Sequence, residues 1–222
     1  SISPLDLTAA YAVIANGGFR IKPYLIGSIT DDNNKVLLKA RPALACDNCA
    51  HAPNQTLAQR VIEPDLVFLM QNTLNGVIKY GTGKAASALD RDDIAGKTGT
   101  TNEQVDAWFA GFHSDLVTTV WVGFDNPKSL HEYASFAALH LWIDFMKEAL
   151  KTLPHKPFEP PNSIAALPID RKTGLLTNTD NPDGIMEYFQ KNKLPESSDA
   201  IHDTATQHAD NKAYDEDSAD LF

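Results

Sequence analysis

The sequence predicts an α+β domain in which helices pack against an antiparallel sheet. Apolar residues recur with helical spacing near the start of the chain, after residue 63 and after residue 135. Between the last two of these segments, β-branched and aromatic residues are concentrated in short runs joined by turns. The order of elements is therefore helix, hairpin, helix, three strands and helix, which is typical of this fold class.

The first third of the chain predicts a helix and a hairpin. The helix spans residues 4–15, with Ser3 as its N-cap, and Gly17 ends it. A strand is expected over residues 19–29, and after a polar turn a short second strand follows over residues 35–38.

The rest of the chain predicts a central sheet between two helices. Residues 40–60 are expected to form a loop, a helix begins at Glu63 and Pro64, and a short polar helix covers residues 84–89. An edge strand is expected at 96–101, a hairpin at 107–124 and a helix at 136–150. After Pro154 no long element is expected, with at most one further turn at 170–176.

The predicted loop contains the two cysteines of the chain, Cys46 and Cys49. A lone pair with this spacing lacks the second pair that a zinc ribbon needs, and His51 would leave a fourth ligand unfilled. A disulfide or two free thiols is therefore preferred to a metal site, although a thiol or metal role remains a distant alternative. A disulfide would fit an oxidising compartment such as the periplasm.

The amino-acid composition limits the classes of function that this chain can have. The net charge of −10 argues against nucleic-acid binding, while 43% hydrophobic residues suffice for a core. Residues 195–222 hold eight acidic residues and one lysine, which predicts a disordered acidic tail. No apolar run approaches the ~18 residues that span a bilayer. The chain begins with Ser1 instead of Met, so we expect sequence upstream of it.

Residues 96–101 read Gly-Lys-Thr-Gly-Thr-Thr and carry the strongest chemical signal. A phosphate-binding loop is rejected, because Arg91 stands where its first glycine belongs and because strands, not a helix, follow. On an edge strand, Lys97 and Gly99 point to one side and the threonines between and after them to the other. Such an edge can bind an extended peptide and its carboxylate. Taken alone, the tripeptide Lys-Thr-Gly at 97–99 is equally well explained by a surface strand with an ordinary lysine.

The surroundings of this motif resemble class A penicillin-binding proteins. The resemblance runs from residue 3 to about residue 188 and includes Ile-Ala-Gly-Lys-Thr-Gly-Thr-Thr-Asn at 94–102 and Asp-Ala-Trp-Phe-Ala-Gly-Phe at 106–112. The other matching stretches are residues 3–18, 80–83, 120–125, 142–146 and 169–175. The pair Cys46 and Cys49 also resembles cysteine pairs of proteobacterial members of the family.

The resemblance implies the fold of penicillin-binding transpeptidases and serine β-lactamases. Members acylate a serine with the D-Ala-D-Ala end of a peptidoglycan stem peptide and pass the acyl group to an amine, and β-lactams acylate the same serine. Lys97 is the implied catalytic residue, which supplies positive charge and relays protons. The implied substrate-binding residues are Thr98, Gly99, Thr100, Thr101 and Asn102. The Thr100 N–H is an implied oxyanion-hole donor. No cofactor and no metal are implied.

Two family elements are missing from the sequence. No serine is followed by lysine three residues later or by asparagine two residues later. In the family both elements precede the segment that begins near Ser3. We therefore expect a transpeptidase domain incomplete at its N-terminal side and inactive alone. The expected divisions are residues 1–165 as its C-terminal portion, 166–194 as an extension and 195–222 as the tail.

The parent protein is expected at the periplasmic face of the bacterial inner membrane. It would reach the membrane only through an upstream anchor and would also carry a peptidoglycan glycosyltransferase domain. Two alternatives stay open: a non-catalytic module that holds a peptide on the strand around Lys97, and one half of a split enzyme. Asp106 could orient Lys97 or a strand end, but a structural salt bridge is the preferred interpretation. Trp108, Trp121 and Trp142 are expected in the core.

Overall fold

The computed structural model describes residues 2–47, 49 and 56–197. The chain divides into two compact units, Ser1–Glu159 and Pro160–Phe222. The predicted divisions after residues 165 and 194 stay predictions, and most of the predicted acidic tail lies outside the described residues.

Three α-helices form in the first unit. Helix α1 spans Pro4–Ala15, and the Ser3 hydroxyl caps it by accepting the Asp6 N–H at 3.1 Å, as predicted. Helix α2 spans Pro64–Tyr80 and is followed by a 3-10 helix at Lys84–Leu89. Helix α3 spans Ala134–Ala149 and begins two residues before the predicted start.

The segment between α1 and α2 contains four short strands. Strand β1, Phe19–Arg20, pairs with β4, Gln59–Arg60, while β2, Ser28–Thr30, pairs with β3, Val36–Lys39. The prediction of one strand over residues 19–29 is therefore wrong. Pro23 interrupts it, because a proline has no N–H to give to a strand ladder.

A three-stranded antiparallel sheet forms the centre of the first unit. Its strands are β5, Ala95–Thr100, β6, Ala107–His113, and β7, Leu116–Val122, in the order β5-β6-β7. The predicted edge strand and hairpin are thus confirmed. In the register, Lys97 lies opposite Ala110.

One face of this sheet packs against α3. The ring of Trp142 lies 4.9 Å from that of Phe109, and both side chains are fully buried. Gly111 makes this approach possible, because a Cβ there would lie 2.6 Å from the Trp142 ring. Trp142 is therefore the core anchor that was predicted, whereas Trp108 is half-buried and Trp121 is 39% exposed.

The opposite face packs against α1, and α2 lies beside the start of β5. Tyr11 of α1 stacks edge-on against Phe112 at 6.2 Å. Asn75 of α2 donates its amide N–H groups to the carbonyls of Ile94, at 2.7 Å, and Asp92, at 2.9 Å. The position of α2 along β5 is thereby set by hydrogen bonds as well as by packing.

A buried polar cluster stabilises the other end of the sheet. Asp93 has no exposed surface and accepts two hydrogen bonds from Arg91, at 2.7 and 2.6 Å, and one from the Lys156 N–H at 2.7 Å. The ring of buried His113 lies 3.3 Å from the same carboxylate. The cluster joins the start of β5, the end of β6 and the segment after α3.

The second unit contains a hairpin that the sequence analysis missed. Strands β8, Ile164–Asp170, and β9, Gly184–Gln190, pair over seven residues. Pro168 argues against a strand in a sequence, but its backbone faces away from β9, since its carbonyl accepts the Thr177 N–H at 3.1 Å. The missing N–H therefore costs no ladder bond between β8 and β9. Hydrogen bonds from Asn181 and then from backbone amides lower the pKa of Asp170, the last residue of β8, to about 2.

The loop at residues 40–60 carries a disulfide between Cys46 and Cys49, which is one of the two predicted states. Between the cysteines, Asp47 forms an ion pair with Arg60 of β4. Among the described residues, none of the helices combines the length and the apolar character that a membrane crossing requires.

We predict that Trp142→Ala lowers the free energy of unfolding by about 3–5 kcal/mol, because the variant leaves a large cavity between α3 and β6. Urea unfolding followed by far-UV circular dichroism measures this. The matched control is Leu141→Ala on the same helix, whose side chain is 53% exposed and whose loss should change stability by about 0.5 kcal/mol or less. Equal losses in both variants would contradict the packing described.

We also predict that Asp93 makes stability depend on pH. Burial alone would raise the pKa of its carboxyl, but the hydrogen bonds from Arg91 and Lys156 hold that pKa below the ordinary value of 3.8. A carboxyl with a lowered folded-state pKa stabilises the fold at neutral pH, and this contribution is lost as the pH falls below the ordinary pKa. Asp93→Asn should therefore lower stability at pH 7 and flatten its decline in acid.

Urea unfolding of both proteins between about pH 6 and pH 3 measures this difference. Asp144→Asn, at an exposed position of α3, is the control and should retain the wild-type slope. Parallel curves for wild type and Asp93→Asn would rule out Asp93 as the source.

Candidate active site

The open edge of β5 holds the residues that the sequence analysis selected. The N–H of Thr101 donates to the Asp106 carbonyl at 3.1 Å. In an antiparallel pair every second residue faces the partner strand, so the N–H and C=O groups of Lys97 and Gly99 point to β6. The N–H and C=O groups of Thr98 and Thr100 consequently point away from β6, to the open side. The Lys97 ammonium, which donates to the Thr98 carbonyl at 3.0 Å, lies on this same side.

Side chains alternate along the strand as expected. Gly99 lies beside Trp108, and a Cβ there would lie 3.3 Å from the Trp108 Cβ. Thr98 and Thr100 lie on the other face of the strand. The side chain of Lys97 is exposed, and its Nζ reaches along the edge to the Thr98 hydroxyl at 3.1 Å.

The loop after α2 contributes a residue for which the sequence analysis found no clear role. The hydroxyl of Thr82 lies 2.7 Å from the hydroxyl of Thr98. Only the Tyr-Gly-Thr-Gly stretch at 80–83 could have signalled it, and the sequence alone does not predict which residue of that stretch meets the strand. Thr82 is thus a neighbour of the motif across 16 residues of chain.

The far end of β5 meets the start of α3. The Thr100 hydroxyl accepts the Ala134 N–H at 3.3 Å, which is one of the amides that a helix start leaves without a partner inside the helix. Tyr133, immediately before α3, is 65% exposed. The Thr100 hydroxyl keeps its own proton, so it can still donate to a ligand.

Asp106 fixes the chain that leaves β5. Its N–H donates to the Thr101 hydroxyl at 2.8 Å, and its carboxylate accepts the indole N–H of Trp121 at 2.9 Å and the Thr101 hydroxyl at 3.3 Å. The preferred prediction of a salt bridge is therefore wrong, because neutral donors satisfy this carboxylate, and the alternative that Asp106 orients a strand end is confirmed by its bonds to Thr101. Asn102, the last of the predicted binding residues, is exposed at the start of the short 3-10 turn that follows.

These groups make the edge of β5 suited to an extended anion. The Lys97 ammonium and the hydroxyls of Thr98 and Thr100 follow one another along a strand whose outward backbone groups have no partner strand among the described residues. Ammonium and hydroxyl groups donate to carboxylates, and charge-assisted bonds of this kind are the stronger ones. An edge strand adds main-chain hydrogen bonds to a peptide.

A possible cation position lies elsewhere. Asp92, Asp93 and His155 have ligand atoms within 4.8 Å of one another. Arg91 already occupies both carboxylate oxygens of Asp93 and would repel a cation, so these residues do not fit a metal. They lie by the start of β5, at the opposite end from Thr100.

Comparisons with known proteins agree with this geometry. The family model of the penicillin binding protein transpeptidase domain matches residues 1–141. Penicillin-binding protein 1A of Pseudomonas aeruginosa is 34% identical over 235 residues, which cover 89% of this chain and 29% of that protein. Penicillin-binding protein 1A of Neisseria lactamica is 40% identical over 166 residues, which cover 74% and 20%.

A solved structure has the same fold. The 2.6 Å crystal structure of penicillin-binding protein 1A from Haemophilus influenzae matches with a TM-score of 0.80 and 37% identity, over 87% of this chain and 32% of that one. The chain thus spans about a third or less of the length of these relatives. It belongs to the transpeptidase domain family of the class A penicillin-binding proteins, which confirms the resemblance predicted from its sequence.

Proposed function

We propose that this chain supplies the carboxylate-binding part of a serine transpeptidase site that cross-links peptidoglycan and is acylated by β-lactams. The observation that carries the proposal is the open edge of β5, where Lys97, Thr98 and Thr100 face outward in a domain of this family. The donor stem peptide would lie along this edge with its terminal carboxylate at the threonine hydroxyls.

Hydrogen-bond capacity at the edge supports this role. An ammonium has three donors, and Lys97 uses two of them on the carbonyl and hydroxyl of Thr98. The third is free to meet a substrate or to hold a proton relay near the reacting serine. The Thr98 and Thr100 hydroxyls add donors for the carboxylate, and Asn102 lies at the rim with Thr101.

Backbone geometry supports an oxyanion-hole role for Thr100. Its N–H points to the open side of the strand, where a developing oxyanion could accept it. Preorganised N–H donors of this kind are worth ~2.7–4 kcal/mol in transition-state stabilisation. Gly99 lets the peptide approach closely, and a side chain in its place would crowd Trp108.

The nucleophile and its base would come from another segment of the protein, because no serine of this sequence has the required lysine spacing. In the proposed reaction that serine attacks the D-Ala-D-Ala carbonyl and its proton passes to the leaving D-Ala amine. An amine of a neighbouring strand then displaces the serine oxygen, which takes back a proton. Lys97 would stabilise the carboxylate of the bound stem peptide and would help to transfer the proton.

The proposal includes a place and a second activity for the parent protein. A disulfide between Cys46 and Cys49 suits the periplasmic face of the inner membrane, because thiols are oxidised there. Glycan polymerisation by a separate glycosyltransferase domain is proposed from the length of the relatives, of which this chain covers about a third or less.

We predict that Lys97→Ala lowers the second-order rate of acylation by a fluorescent penicillin by about 10²–10³-fold, because proton transfer and carboxylate attraction are both weakened. The measurement uses the complete protein as its own cells produce it. Lys156→Ala is the matched control, because this lysine pairs with Asp115 at the opposite end of the sheet. Unchanged acylation in Lys97→Ala would contradict the proposed role, and peptide binding without any acylation would favour a non-catalytic module.

A further inference from the structure

The loop that carries Thr82 is held rigidly against the end of α2. The N–H groups of Gly81 and Gly83 both donate to the Val77 carbonyl at 3.0 Å, one on each side of Thr82. A Cβ on Gly81 would lie 2.9 Å from that carbonyl oxygen, so the turn depends on this glycine. Helix α2 is itself hydrogen-bonded to the carbonyl of Ile94, just before β5, through Asn75. Thr82 is therefore positioned relative to β5 before any ligand arrives.

The hydroxyl of Thr98 has a limited number of hydrogen bonds to distribute. A hydroxyl offers one donor and two acceptor sites. The Lys97 ammonium, which can only donate, fills one acceptor site of the Thr98 hydroxyl at 3.1 Å. The contact of 2.7 Å with Thr82 can run in either direction. If Thr82 donates, both acceptor sites of Thr98 are filled and its own proton must point elsewhere.

A bound carboxylate selects between these two directions. It can only accept, so it is stabilised when the Thr98 proton points at it and repelled when a lone pair does. When the Thr98 proton points at the carboxylate, Thr82 must be the donor in the contact between the two hydroxyls. Donation from two neighbours also polarises the Thr98 O–H and strengthens its bond to the anion.

We propose that Thr82 is a positioning residue that donates to Thr98 and thereby commits the Thr98 hydroxyl to bind the substrate carboxylate. This inference rests on the proposed function and extends the anion-binding site to the loop at residues 80–83. Thr82 does not touch the substrate; it acts through Thr98. The preference of the site for a ligand with a free carboxylate over a neutral one should therefore depend on the Thr82 hydroxyl.

The test compares benzylpenicillin, which has a free carboxylate, with its methyl ester, which is neutral. In the complete protein as its own cells produce it, Thr82→Val should lower the acylation rate with benzylpenicillin by about 3- to 10-fold, the effect of one lost hydrogen bond. The rate with the ester should change by less than about twofold. Thr82→Ser retains the hydroxyl and should restore the selectivity.

The control is Thr73→Val on α2, where the lost hydroxyl bonds only to the Leu69 carbonyl of its own helix. It should leave the rates with both compounds unchanged. A Thr82→Val protein with wild-type rates, or with equal losses for both compounds, would overturn the proposal while the proposed function stands. A wild-type protein that neither compound acylates would overturn the proposed function itself.

Discussion

The register of β5 on β6 is the constraint on which the candidate site depends. Because Thr101 donates to Asp106, the peptide groups of Thr98 and Thr100 must face the open edge. A slip of one residue would turn these groups into the sheet and would exchange the two side-chain faces. Gly96 opposes such a slip, because it lies opposite Gly111, where a Cβ on β5 would come within 2.8 Å of the Phe109 ring.

Contacts from three directions hold the edge strand in place. Asn75 fixes its start against α2, and the first amide of α3 binds Thr100 near its end. Asp106 then fastens Thr101 to Trp121 of β7. The strand therefore presents its donors without a partner strand among the described residues. Rigid donors cost little reorganisation when charge develops on a substrate, which is the advantage that a transpeptidase site needs.

Most elements of the first unit follow from local signals in the sequence. Ser3 and Pro4 predict the start of α1, and the density of β-branched residues at 117–122 predicts β7. What failed depended on distant contacts. The neutral partners of Asp106 come from β7 and from the residue after β5, and which residue of 80–83 meets Thr98 follows from how α2 docks. Pro168 concealed β8, because only the pairing scheme reveals that its ring nitrogen faces away from β9, where no N–H is needed.

We propose that the edge from Lys97 to Thr100 is half of an acylating site. Its most direct test is to label membranes of the source cells with a fluorescent penicillin and to capture the protein with an antibody raised against these 222 residues. We expect a captured band that carries the label, and pre-incubation with unlabelled penicillin should abolish that label. A captured protein without label, from membranes in which other penicillin-binding proteins are labelled, would contradict the assignment of this edge to an acylating site.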